Sequence, residues 1–304
     1  MSSCVQSQIT APLFPGKREL LLMLIGGYFD ESTDRDTENR CYSVCGYVAD
    51  GASALELSFA WADLLRKHSL AYFKASEIEY GFGQFAQYRD DPANVRAPLS
   101  TREKEKIIEI KSDFVNAICQ SNVYGIGTVL MLRDYEVLIS ENEAARRNLL
   151  RPWYLCSSFT LMASGFLMND ANRRHPPATT GFLRPIFDWQ EEFKGRFVDS
   201  FPNFCRKNPE SSRFLLAPHF EMKQDYKCLQ AADCLAYEAR KLLLQIEYDD
   251  NPGRPMRVAM QRLYERMYKI YLLNYEGMKI IAENQSCDRI PIKPTIENAA
   301  ELRI

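Results

Sequence analysis

Histidine is scarce in this sequence: His68, His175 and His219 are the only three in 304 residues. None stands at a metal-ligand spacing from another, which argues against a zinc centre built on imidazoles. Long apolar runs are missing as well. The longest, Leu20 to Tyr28 and Tyr154 to Met168, are too short or too interrupted by Ser and Thr to span a bilayer. Neither sign of charge is in excess. A net charge of −2 gives no global pull toward nucleic acid, so any such binding has to use a local patch. Nine cysteines are present but scattered without a dense repeat, and Cys41 and Cys45 have no second pair or nearby histidine to complete a zinc site. Their odd number, their places in apolar runs and the lack of a signal-peptide pattern point to free thiols in a reducing cytoplasm.

What is present is an ordinary globular composition, 46% hydrophobic and 26% charged, in a chain long enough to bury a large core. Residues 1–18 carry no periodicity and read as a leader. Leu20 to Phe29 is an apolar run ending in Asp30 and Glu31, and Cys41 to Ala49 returns after a polar turn, which predicts a hairpin. Ala54 to Lys67 has helical spacing, and Gly81 to Pro98 reads as a long loop, an insertion near 81–99. Ser100 and Glu103 form a capping-box pattern that opens a helix to about Gln120, before a strand from Val123 to Leu132. Arg151 to Asn169 reads as a helix, Leu183 to Phe187 as a short strand ending in Asp188, Glu191 to Arg206 as a helix and Phe214 to Met222 as a strand. Helical patterns then cover Tyr226 to about Tyr248 and Pro255 to Leu273, split by a turn at Asp249 to Gly253. The expected fold is α/β, with one domain over residues 19–248 and a helical extension of it over 249–304.

Three acids stand out by position. Asp30 and Glu31 leave the first strand on opposite faces, so one of them looks into a given cleft, and Asp30 is the choice. A polar turn is the plainer account of that dipeptide alone. Gln230, Asp233 and Tyr237 share one face of a helix at spacings of three and four. An aspartate in so apolar a helix needs an Arg or Lys, a cap or a divalent cation as partner. Asp188 ends an apolar strand, whereas Glu191 and Glu192 after it suit the start of a helix. Two strand-end acids and one helix acid can together hold Mg²⁺ or Mn²⁺ for phosphodiester hydrolysis.

Tyr28-Phe29-Asp30-Glu31-Ser32 and Leu229-Gln230-Ala231-Ala232-Asp233 resemble the two signature motifs of domain-of-unknown-function family 3800, over roughly residues 24–245. The resemblance implies a ribonuclease-H-like mixed central sheet flanked by helices, and a metal-dependent nuclease, sometimes tied to mobile elements or phage defence. Carried onto this chain, it makes Asp30 and Asp233 the motif acids and metal ligands, with Glu31 and Gln230 their supporting neighbours. Asp188 joins as a third ligand by its strand-end place. The sequence departs from the pattern at Thr33, where many members have Gly, and at Lys74, where a histidine is expected.

Other features have plainer readings. His219 and Glu221 share a strand face as a surface pair, with Lys223 just beyond and in reach of a phosphate. Arg254, Arg257, Arg262, Arg266 and Lys269 form either a solvated helix face or a nucleic-acid track, and the apolar side of that helix suits a homo-oligomer. The preferred function is a Mg²⁺- or Mn²⁺-dependent nuclease acting on DNA or RNA, with no membrane partner. Its rival is a non-catalytic nucleic-acid- or protein-binding module whose carboxylates pair with Arg or Lys instead of metal. Hydrolysis of a small phosphorylated or glycosidic substrate by paired carboxylates is a third reading.

Overall fold

A computed structural model describes residues 21–33, 41–174, 179–189, 191–248 and 255–284. The first half runs β1 (Leu21–Thr33), β2 (Cys41–Asp50), α1 (Gly51–Lys67), α2 (Ala75–Tyr80), α3 (Thr101–Gln120), β3 (Tyr124–Met131), α4 (Leu132–Glu141) and α5 (Glu143–Asn148). The second half runs α6 (Pro152–Arg174), β4 (Thr179–Asp188), α7 (Glu191–Lys207), α8 (Pro209–Ser212), β5 (His219–Glu221), α9 (Lys227–Tyr248), α10 (Val258–Tyr264), β6 (Met267–Leu273) and α11 (Tyr275–Asn284). The leader, the turn at 249–253, His175 and Arg254 lie outside the described residues.

The hairpin expected from the two apolar runs forms, with Asp30 opposite Cys45. β3 lies antiparallel on the other side of β2, β4 and β5 run parallel to β1, and β6 runs parallel to β3. The strand order is β5-β4-β1-β2-β3-β6, with β2 alone running against the rest. This six-stranded mixed sheet flanked by helices has a ribonuclease-H-like layout.

Each face carries its own core. On one face, Tyr47, Trp61, Phe73, Phe114, Ala231 and Ala236 bury together under α1, α3 and α9. On the other, Val44, Phe29, Trp153, Phe159 and Phe187 pack beneath α6 and α7. Ala231, Ala232 and Ala236 are fully buried, and this small-residue stripe brings α9 close enough for the Ser43 hydroxyl to donate to the Ala236 carbonyl at 2.9 Å. The capping box at α3 is complete, with the Ser100 hydroxyl accepting from the Glu103 N–H and the Glu103 carboxylate accepting from the Ser100 N–H.

Three expectations need correction. Met267 to Leu273 is strand, not helix: its aromatic and β-branched residues pair with β3, and this non-local pairing outweighs the helical spacing. Among the described residues of the C-terminal extension, α10 and α11 are helical and β6 joins the sheet. The strand read over Phe214 to Met222 shrinks to His219–Glu221 plus a bridge at Leu215, because Pro218 has no N–H to donate to a ladder. Gly81 to Pro98 is a tied segment rather than an open loop. It holds a 3₁₀ turn at Gly83–Tyr88, and the Arg89 guanidinium donates to the carbonyls of Tyr80, Asn94 and Ala97. Gly83 has φ +58, and a Cβ there would meet the Glu77 carboxylate at 2.1 Å, so glycine is required at this bend.

Behind this segment, the buried Lys111 and Glu238 and the half-buried Glu79 and Arg257 form a network of two acids and two bases. Lys111 Nζ reaches Glu79 at 3.0 Å and also Glu238, while Arg257 reaches Glu79 at 2.7 Å and Glu238 at 3.0 Å. Burial pushes the Glu79 carboxyl up, but the Arg257 hydrogen bond and the Lys111 charge overcome this and hold it at about 2. Removing one member leaves the fully buried Glu238 short of a partner. Lys111→Met should therefore cost roughly 3–5 kcal/mol in urea unfolding. Breaking the exposed Arg66–Asp63 pair should cost under about 1 kcal/mol.

Candidate metal centre at the carboxyl end of the sheet

Tyr28 packs on the α9 side of the sheet and Phe29 on the α6 side, so the strand alternation turns Asp30 toward α9 and Glu31 away from it. Asp188 ends β4 beside it, since Phe187 is the register partner of Phe29. Asp233 approaches from α9. All three acids are buried, Asp30 being only 1% exposed.

They converge on the ammonium of Lys223, which follows β5. Its Nζ lies 2.8 Å from Asp30 Oδ2, 3.2 Å from Asp188 Oδ2 and 3.5 Å from Asp233 Oδ1. The second oxygen of each carboxylate is held by a backbone donor. Asp30 Oδ1 accepts from the Glu31 N–H at 2.8 Å, Asp188 Oδ1 from the Lys223 N–H at 3.0 Å, and Asp233 Oδ2 from the Ala75 N–H at 2.5 Å. Three strand or helix positions thus aim three oxygens at one point, with their rotation fixed by the main chain.

Gln230 supports this arrangement without facing the ammonium. Its Oε1 accepts from Trp61 Nε1 at 3.1 Å and the Phe73 N–H at 2.9 Å, and its Nε2 donates to the Lys223 carbonyl at 2.9 Å. It fastens both the segment before α2 and the Lys223 segment to α9. Tyr237 is buried one turn beyond Asp233 on α9, where the Lys111, Arg240 and Lys241 cations lie over its ring at 5.0–5.6 Å. Lys74 caps α2 with its backbone extended and its side chain partly exposed. Glu77 beyond it is buried and accepts from the Tyr72 hydroxyl at 3.0 Å. His219 pairs with Glu221 at 2.7 Å, as the shared strand face predicts.

Lys223 is the residue whose place the sequence reading missed. It points inward to the acids rather than outward to a phosphate. The available signal was the need of a buried Asp233 for a cationic partner.

Burial raises the Asp30 carboxyl well above its ordinary range; the Lys223 ammonium opposes this, and Glu31, Asp233 and Asp188 add to it. Glu31 rises from 4.5 to about 7, first by burial, with Lys223 opposing and Asp188 reinforcing. Burial pulls the Lys223 amine down, but Asp30, Asp233 and Asp188 together lift it well above its ordinary value, so it stays charged. A folded-state value above the unfolded one means that the folded protein binds extra protons between about pH 4.5 and 7. That stabilisation is complete below the unfolded value and is lost as the pH rises through about 7. In EDTA, wild type should melt at a higher temperature near pH 5.5 than near pH 8, with the difference reduced in Glu31→Gln. A melting temperature that instead climbs over this range would refute the assignment.

The donor set suits a hard divalent ion, being three carboxylates from three elements. Their spacing is that of an ammonium site: 2.8–3.5 Å from the centre, against about 2.0–2.1 Å for Mg²⁺–oxygen bonds. Accordingly, among the described residues no group of three or more His, Cys, Asp or Glu side chains stands at metal-binding distances. No described helix is long and apolar enough to cross a membrane. No protein-family model matches the chain, and no curated protein matches its sequence. The resemblance to family 3800 therefore rests on the two motifs themselves.

Proposed function

We propose that this protein is a Mg²⁺- or Mn²⁺-dependent nuclease in which Asp30, Asp188 and Asp233 hold the metal and the substrate is DNA or RNA. One observation supports the reading above all: three acids from β1, β4 and α9 each turn one oxygen to a common point while a backbone N–H fixes the other. Such preorganisation at the carboxyl ends of parallel strands is what a shared cation requires. When bound, the metal neutralises phosphate oxygens and acidifies water. The chain itself orients the three carboxylates, and Gln230 holds the two segments that frame them. Glu31, on the opposite face of β1 from Asp30, supports the ligand set through its N–H, from which Asp30 Oδ1 accepts.

The Lys223 contact favours a second reading, a binding module of the same fold in which the carboxylates serve as partners of a lysine. Cleavage of labelled single-stranded DNA, duplex DNA, RNA and an RNA–DNA hybrid in Mg²⁺, Mn²⁺ or EDTA separates the two. Metal-dependent cutting by wild type, lost in Asp30→Ala and Asp233→Ala, is the nuclease result. A folded wild type that cuts none of them is the result of the binding module.

A further inference from the structure

Two charge clusters lie along α9, and they differ in kind. Around Glu238 two acids meet two bases, each pair in direct contact. Around Asp233, among the described residues, three aspartates meet the one ammonium of Lys223. The first cluster is balanced. The second carries more negative charge than its lysine supplies.

We infer that Lys223 is a tethered cation that competes with the divalent metal: its ammonium fills the carboxylate centre of the metal-free protein and swings out when the ion arrives. The inference rests on the metal reading given above. An ion binding Asp30, Asp188 and Asp233 together needs the point that Nζ occupies, and two cations cannot share it in a buried site. A divalent ion also answers the excess negative charge better than one ammonium does.

The construction of the segment separates a fixed backbone from a free side chain. The Lys223 N–H is held by Asp188 at 3.0 Å and its carbonyl by Gln230 at 2.9 Å, so the main chain stays in place. The side chain is a flexible four-carbon stem and is 18% exposed, so a path to solvent exists on its outer side. Met222 and Gln224 on either side are exposed. Once displaced, the ammonium remains tethered at the rim, where a phosphate held by the metal would lie within its sweep. Lys223 is in these terms a positioning residue that sets metal affinity.

The test is Mn²⁺ binding to the whole protein by titration calorimetry, in wild type, Lys223→Gln and Lys223→Arg. Removing the competitor should tighten Mn²⁺ binding at least tenfold in Lys223→Gln, with Lys223→Arg staying near wild type. Equal affinities in wild type and Lys223→Gln overturn the competition and leave the metal reading standing. No binding by either folded protein overturns both. Wild type alone gives an independent readout through reductive methylation of lysines followed by peptide mass spectrometry. Lys223 should be protected in EDTA and modified in saturating Mn²⁺, and unchanged labelling overturns the proposal even if the glutamine variant does not fold.

Discussion

Asp30→Asn should abolish metal-dependent cleavage, by on the order of 10³-fold or more, while leaving a cooperative thermal transition in EDTA. The size follows from what a bound metal contributes to charge stabilisation in the transition state, several kcal/mol, at about 1.4 kcal/mol per tenfold. The retained fold follows from the contacts. Asparagine keeps the oxygen that accepts from the Glu31 N–H, and the Lys223 ammonium keeps Asp188 and Asp233. Initial rates on the preferred substrate, set beside melting curves, check both halves. A variant that cuts within tenfold of wild type removes Asp30 from the metal set.

Gln230→Leu should be the most destabilising single change at the site, although the residue touches no reacting group. The glutamine is fully buried, and its loss strands the Trp61 indole N–H and the Phe73 N–H without their acceptor. At roughly 1–3 kcal/mol for each buried donor left unpaired, the cost is roughly 2–6 kcal/mol in urea unfolding. Gln230→Glu keeps the acceptor, loses the donor to the Lys223 carbonyl, and should fall between leucine and wild type. A leucine variant as stable as wild type would mean that water or a shifted backbone takes over these bonds.

How legible the site was in the sequence varies residue by residue. Asp30 and Asp188 were readable because an apolar run that ends in an acid is a strand delivering a carboxylate to an edge. Asp233 was readable because a buried acid in an alanine-rich helix demands a partner. The nature of that partner was not, since Lys223 is brought in by the sheet order of β4 and β5, which no local pattern encodes. The helix at α3 was legible to the residue, because its capping box is a chemical signal at fixed spacing. β6 was not, since Leu263, Met267, Ile270 and Tyr271 satisfy helical spacing as well, and only the open edge of β3 decides between the two. Three of the five side chains in the basic stretch have partners within the protein. Arg257 is committed to Glu79 and Glu238, Arg262 donates to Asn116, and Arg266 donates to the Cys119 carbonyl.

The order of strands also sets a schedule for synthesis. β1 gains its antiparallel neighbour β2 at once, but its parallel neighbour β4 and the helix that carries Asp233 are made much later. At roughly 5–20 residues per second, the interval between Asp30 and Asp233 leaving the ribosome is about 10–40 s. Until β4 follows, this inner strand of the finished sheet is an open edge, exposed to wrong pairings. No carboxylate centre exists in a nascent or truncated chain that ends before Lys223, so any chemistry it carries begins only when translation of the sheet and its covering helix is done.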